Sequence, residues 1–201
     1  MKRYLWRSGA THGRLGSWYM RSRRILLLGL SLLWMLLGCG NGRSEDVPPT
    51  EYQIKAAFLF NFARFVQWPT NAFAAATSPL IIGVLGENPF HNDLALTLRN
   101  KSVDDHPLVI KEFSSATDAT NCHILFISAS EKPRLPTIIN GLKGSPVLTV
   151  GQMDQFTESG GMINFVLQGS KIRFQINNDA ASAAGLKISS KLLALALNPA
   201  H

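Results

Sequence analysis

Cys122 and His123 are neighbours, and a thiol beside an imidazole is the pairing that activates a cysteine nucleophile. They open the apolar run His123 to Ile127, which predicts a strand, and adjacent side chains on a strand point to opposite faces. The two therefore cannot act as a dyad, and Cys122 is expected to be a small buried hydrophobe. Past the first forty residues the histidines are His91, His106, His123 and His201, and no spacing places two of them on one helix or strand face. No metal site is expected. Gly83-Val84-Leu85-Gly86 ends a strand before a helix, where a doubly wound fold holds phosphate, but it lacks the third glycine and the Walker lysine. Gly86 reads as a tight turn, and Gly160-Gly161 as an unusual backbone conformation. Ser190 and Lys191 resemble a serine and lysine pair, yet on a helix they point about 100° apart. No acid pair, triad or metal cluster emerges, so neither an enzyme nor a cofactor is expected.

The elements that would position these residues can be read from periodicity. Glu51 to Trp68 is helical and Pro69 stops it, with Ile54, Phe58, Leu59, Phe62, Phe65 and Val66 in one apolar sector and Gln53, Arg64 and Gln67 opposite. Strands are predicted at Leu80 to Leu85, Leu108 to Phe113, His123 to Ile127 and Val147 to Val150. Two more, Met162 to Leu167 and Lys171 to Ile176, make a hairpin through Gln168-Gly169-Ser170. Helices are predicted from Pro89 to about Leu98, from Lys132 to Leu142, and from Asn177 to about Leu197. The last would carry Ala181, Ala184, Gly185, Ile188, Leu192 and Leu195 along one packed face. Strands alternating with helices predict an α/β fold. It is a three-layer sandwich with a mostly parallel central sheet, helices on both faces and an antiparallel pair near the C-terminus.

Charge divides sharply along the chain. Residues 1–39 hold seven of the 20 basic residues and none of the 13 acidic ones, so the remainder is neutral and the net +7 belongs to the N-terminal segment. The folded part offers no electrostatic footprint for nucleic acid. Arg21, Arg23 and Arg24, the apolar run Ile25 to Gly38 and small residues around Cys39 have the layout of a secretory signal, with a run shorter than a spanning helix needs. Leu36-Leu37-Gly38-Cys39 resembles the bacterial lipobox, so Cys39 is the expected lipidation site and membrane anchor. With Cys39 lipidated, Cys122 has no partner, and no disulfide is expected. Residues 40–50, polar with two prolines, read as a flexible tether, and 51–201 as the domain.

The stretch Ile54-Lys55-Ala56-Ala57-Phe58-Leu59-Phe60-Asn61-Phe62-Ala63-Arg64-Phe65-Val66-Gln67-Trp68-Pro69 closely resembles the first helix of the YfiR family. Matches follow in order at Ile82-Gly83-Val84-Leu85-Gly86, Pro89-Phe90, Cys122 to Ser128, Leu148-Thr149-Val150, Gly160 to Ile163, Ile172 to Asn177 and Gly185 to Leu193. The resemblance implies a periplasmic α/β sandwich that binds other proteins. The founding member represses an inner-membrane diguanylate cyclase by contacting its periplasmic sensor region, which lowers cyclic-di-GMP. The implied partner is thus such a cyclase or another membrane sensor protein, and a homodimer is admitted. This chain has too few cysteines for the founding member's disulfides, so redox regulation is not carried over.

Phe60 lies by the helical wheel among Gln53, Arg64 and Gln67, and an exposed aromatic beside arginine has the composition of an interface anchor. Phe60, Arg64 and Gln67 are therefore the candidate partner-binding residues. Lys55 projects into the apolar sector, where Glu51 one turn earlier is its nearest counter-charge. The alternative to a repressor is a periplasmic small-molecule binder, its ligand held by strand-end loops at Gly86, Glu87 and Asn88 and at Ser128 and Ser130.

Overall fold

A computed structural model describes residues 48–197; Cys39, the export segment and most of the tether lie outside the described residues. The first helix, α1 (Glu51–Phe65), begins with a reciprocal cap in which Thr50 accepts from the Gln53 backbone and the Gln53 side chain accepts from the Thr50 N–H. The helix ends three residues before the expected Trp68. Val66–Gln67 is instead a strand, β1, paired antiparallel with β9 (Lys187–Ile188). A pairing partner so distant in sequence left no local signal, and tertiary contact overrode the helical periodicity.

The main sheet has seven strands in the order β3-β4-β2-β5-β6-β7-β8. They are β2 (Leu80–Leu85), β3 (Ser102–Val103), β4 (His106–Phe113), β5 (Ile124–Ile127), β6 (Leu148–Gly151), β7 (Ile163–Gln168) and β8 (Lys171–Ile176). Pairs β4-β2, β2-β5, β5-β6 and β6-β7 are parallel, while β3-β4 and β7-β8 are antiparallel. The hairpin β7-β8 turns at Gly169, with φ +60°. The helices α1 and α2 (Asp93–Leu98) cover one face, and α3 (Leu135–Gly141) covers the other. This is the mostly parallel three-layer α/β arrangement that alternating elements imply.

Several elements differ from expectation. The helix after Pro89 starts only at Asp93, because Pro89 sits in the turn that precedes it. Ahead of α3 the segment Ala129–Arg134 is a 3-10 turn, since Pro133 and Pro136 lack the donors a continuous helix needs. The expected final helix breaks into α4 (Asn178–Ala183), β9 and α5 (Ser190–Leu193). Gly185 at φ +76° ends α4, and Ser189 caps α5 by accepting the Leu192 N–H at 3.3 Å. Of its expected apolar face, Ala181 and Leu192 are buried, but Leu195 is 60% exposed.

Within α1 the buried residues are Lys55, Ala56, Leu59, Phe62 and Ala63, so the inward stripe is rotated from the expected one and Ile54, Phe58 and Phe65 lie at its margin. The rotation follows from aromatic packing. Phe62 meets Phe165 at 5.7 Å and Phe174 at 5.3 Å, and Phe58 meets the same two rings at 5.9 and 5.5 Å. Each such pair adds about 0.5–1.5 kcal/mol beyond area burial.

On the second face Phe156, fully buried, rests on bare glycine backbone. A Cβ on Gly161 would lie 2.2 Å from its ring, and one on Gly151 would lie 2.5 Å away. Gly161→Ala should therefore displace Phe156 and cost about 1–3 kcal/mol, the usual range for overpacking. Urea unfolding should show a lower midpoint at unchanged slope, and Phe156→Leu in the same chain should restore part of the loss.

Candidate functional site

The chain leaves β2 toward β4 on one side and later returns to place β5 on the other. Strand order thus reverses between β2 and β5, and the crevice beyond their C-terminal ends is where open α/β sheets bind ligands. The turn after β2 needs glycine: Gly86 has φ +88°, and a Cβ there would stand 2.5 Å from Ser130 Oγ. The two loops are tied together, because Ser130 Oγ accepts the Glu87 N–H at 3.1 Å and the Ser128 N–H donates to the Leu85 carbonyl at 3.0 Å. Asn88 bridges outward, its Oδ1 accepting the Phe90 N–H at 2.9 Å and its Nδ2 donating to Glu112 on β4 at 2.7 Å. Glu87, Asn88, Ser128 and Ser130 line a cleft of about 410 Å³ together with Tyr52, Phe126 and Gln152, and Gly86 forms the turn beside it. Ser128 is 5% exposed, and its hydroxyl has no hydrogen bond among the described residues.

Lys55 is the unusual residue beside this cleft, with only 1% of it exposed. Its ammonium donates to Glu51 and to Gln152, and it lies 4.4 Å from the centroid of the Tyr52 ring. Gln152 in turn donates to Glu51 at 3.3 Å. The Lys55 hydrogen bond, aided by its charge, holds the Glu51 carboxyl below 4.5 against the opposing pull of partial burial. Burial first, and the Glu51 charge second, raise the Tyr52 hydroxyl above 10. The charge of Lys55 is thereby spent inside the protein. Sequence spacing anticipates the Glu51 partner, but Gln152 comes from the loop after β6 and carries no sequence signal.

Residues 52–197 match the model of a family described as YfiR/HmsC-like. The chain belongs to the YfiR/HmsC-like family. No curated protein matches it. A solved structure from Vibrio cholerae, described as a conserved domain protein, superposes with a TM-score of 0.52 at 13% identity, covering 74% of this chain and 60% of that one. An ABC domain in complex with L-Trp from Streptococcus pneumonia gives a TM-score of 0.46 at 14% identity, over 73% and 59% of the two chains. The chain thus spans about 60% of the length of either structure, and the first likeness concerns the fold alone.

In this YfiR/HmsC-like domain Phe60 is half-buried and packs against the core rather than standing free. Lys101 lies 4.5 Å and Arg64 5.9 Å from its ring centroid, so two cations cover the aromatic face that the wheel leaves in solvent. Arg64 and Gln67 are exposed, the latter within β1. Cys122 is buried in the second core, where burial pushes its thiol up to about 12. It holds no thiolate at neutral pH. Among the described residues no three His, Cys, Asp or Glu side chains converge as a metal requires.

His123 belongs to an aromatic stack that the sequence does not reveal. Its ring lies 4.3 Å from Phe73, which lies 3.9 Å from His106 on its other face, while Trp68 donates to the His123 carbonyl at 3.2 Å. The Ile81 N–H donates to His123 Nδ1 at 3.0 Å, so Nδ1 is unprotonated and the proton on Nε2 points to the Ala72 carbonyl at 3.2 Å. This is a satisfied neutral imidazole. Desolvation lowers its pKa from 6.5, partly offset by Ala72, with the nearby His106 also disfavouring charge. Below 6.5 the unfolded chain binds this proton more readily than the native one, so stability is complete above 6.5 and declines as pH falls toward the lower native pKa. Thermal melts across this range should show that decline in the natural chain, and His123→Asn should flatten it.

Proposed function

We propose that this chain is a periplasmic regulator, anchored through lipid on Cys39, that represses an inner-membrane diguanylate cyclase by binding its periplasmic sensor domain and so lowers cyclic-di-GMP. The observation that carries the reading is the family match over residues 52–197. A second line of support is chemical. The buried polar groups with reactive potential, Lys55, Cys122 and His123, are consumed by internal hydrogen bonds or by burial, which suits a protein that acts by contact. The partner surface takes in Phe60, Arg64 and Gln67: the exposed Arg64 guanidinium and Lys101 lie over the Phe60 ring, and Gln67 is exposed on β1 beyond the helix end.

Deletion of the gene should raise cellular cyclic-di-GMP and biofilm, and removal of one cyclase gene in the same strain should restore the original level. Unchanged cyclic-di-GMP on deletion argues against the reading. Arg64→Glu should weaken repression with only a small drop in melting temperature, because Arg64 is exposed and loses only its place over the Phe60 ring and at the helix C-terminus. Cys39→Ser should move the protein from the membrane fraction to the periplasmic fluid.

The Ser128 hydroxyl, on a residue that lines the cleft and without a hydrogen bond among the described residues, favours a second reading, a periplasmic binder of a small polar molecule. A thermal-shift screen tests it. A true ligand raises the melting temperature of the natural chain, and Ser128→Val should abolish the rise.

A further inference from the structure

The two edges of the seven-stranded sheet are finished differently. At β8 the returning chain covers only the end of the edge: Leu197 bridges Gln175 in parallel and donates to the Phe174 carbonyl at 2.8 Å, and Arg173 reaches the Leu195 carbonyl at 3.4 Å. At β4 the short β3 covers only the start, pairing with His106 and Pro107, and the Leu108 N–H donates to the Lys101 carbonyl at 3.2 Å. That bond fixes the direction of every group beyond it. Backbone polar groups of successive residues alternate sides along a strand, so those of Ile110 and Glu112 also point outward, while those of Val109, Lys111 and Phe113 point to β2. Among the described residues, nothing pairs with the outward N–H and C=O groups of Ile110 and Glu112.

A second copy does not fit this edge. A two-fold axis through a continuous antiparallel sheet pairs positions symmetrically about one residue. Centred on Lys111 it sets two ammoniums opposite each other, and centred on Glu112 it sets two carboxylates opposite each other, which is destabilising. Centred on Ile110 it drives the copy into Lys101–Val103, and later registers run past the strand end at Phe113. The open edge also adjoins the patch described above, since Lys101 both covers Phe60 and accepts from Leu108.

We propose that the outer edge of β4, Val109–Phe113, is the docking strand for an extended segment of the regulated partner protein, which adds to the sheet through the free backbone groups of Ile110 and Glu112 and sets an acidic residue opposite Lys111. The mode is strand addition, in which main-chain bonds supply affinity and side chains supply register. The proposal deepens the regulator reading and rests on it for the kind of partner.

The test uses the full chain in its own cells with the photocrosslinker p-benzoylphenylalanine at Val109, which is 37% exposed, and at exposed Lys143 as a control. Light should join Val109 to an extended periplasmic segment of a membrane signalling protein, identified by mass spectrometry. Glu112→Pro removes the outward N–H and leaves the β2 ladder intact, whereas Glu112→Ala removes the same carboxylate and keeps the N–H. The proline variant should lower adduct yield about tenfold and the alanine variant by no more than about twofold, the difference one blocked strand hydrogen bond makes. If the proline variant does not fold, Lys111→Glu replaces it and should lower the yield without touching the backbone. Equal yields in all variants, an adduct no stronger than at Lys143, or an adduct to a second copy overturns the proposal. An adduct to a segment of a protein that is not a signalling enzyme keeps the edge and removes the cyclase reading. Raised cyclic-di-GMP on deletion with no Val109 adduct keeps the cyclase reading and removes the edge.

Discussion

The seating of α1 by the buried ring of Phe62 governs the rest of the domain. Phe62 is wedged against Phe165 of β7 and Phe174 of β8, so the helix is held to the antiparallel hairpin at the end of the sheet. From that anchor its first turns carry Tyr52 and Lys55 to the cleft at the strand reversal. Its last turn delivers the chain to β1, where Val66 pairs with Ile188. One face of the helix is thus committed to the core. The opposite flank keeps Arg64 and the covered ring of Phe60 at the surface, and the same rotation that buries Lys55 decides both.

Burying an ammonium is costly unless its hydrogen bonds are met, and Lys55 meets that demand with Glu51, Gln152 and the face of Tyr52. The same economy recurs elsewhere. Asn164 donates to and accepts from the Met153 backbone at 2.9 and 3.1 Å, and Thr149 accepts the Met162 N–H at 3.0 Å. His123 is held in one tautomer by Ile81 and Ala72. Polar side chains in the interior therefore specify loop positions. The surface keeps what the interior does not use: a cleft lined by the Ser128 and Tyr52 hydroxyls, a cation-covered aromatic patch, and a strand edge with backbone groups unpaired among the described residues.

These surfaces are linked through few residues. Asn88 joins the cleft loop to Glu112 on the open strand, and Lys101 joins that strand to the ring of Phe60. A contact at the edge therefore bears on groups that also touch the cleft and the helix. The opposite edge strand, β8, meets the helix through Phe174, which packs on Phe58 and Phe62.

The sequence by itself determined what depends on local pattern. Leu80–Leu85 and Lys171–Ile176 are uninterrupted strand-like runs and fold as such, and Lys55 has its ion-pair partner one helical turn away. The family resemblance, carried by motifs along the whole domain, was legible for the same reason. Only the tertiary structure decided the features that join distant segments. Val66–Gln67 leaves the helix because Lys187–Ile188 arrives beside it, and Phe60 is half-buried because Lys101 and the core meet it. The cleft needs a residue from the loop after β6, and the open edge exists because β3 stops short along β4. Periodicity reports which face of an element is apolar, whereas burial and pairing depend on what the folded chain brings against that face.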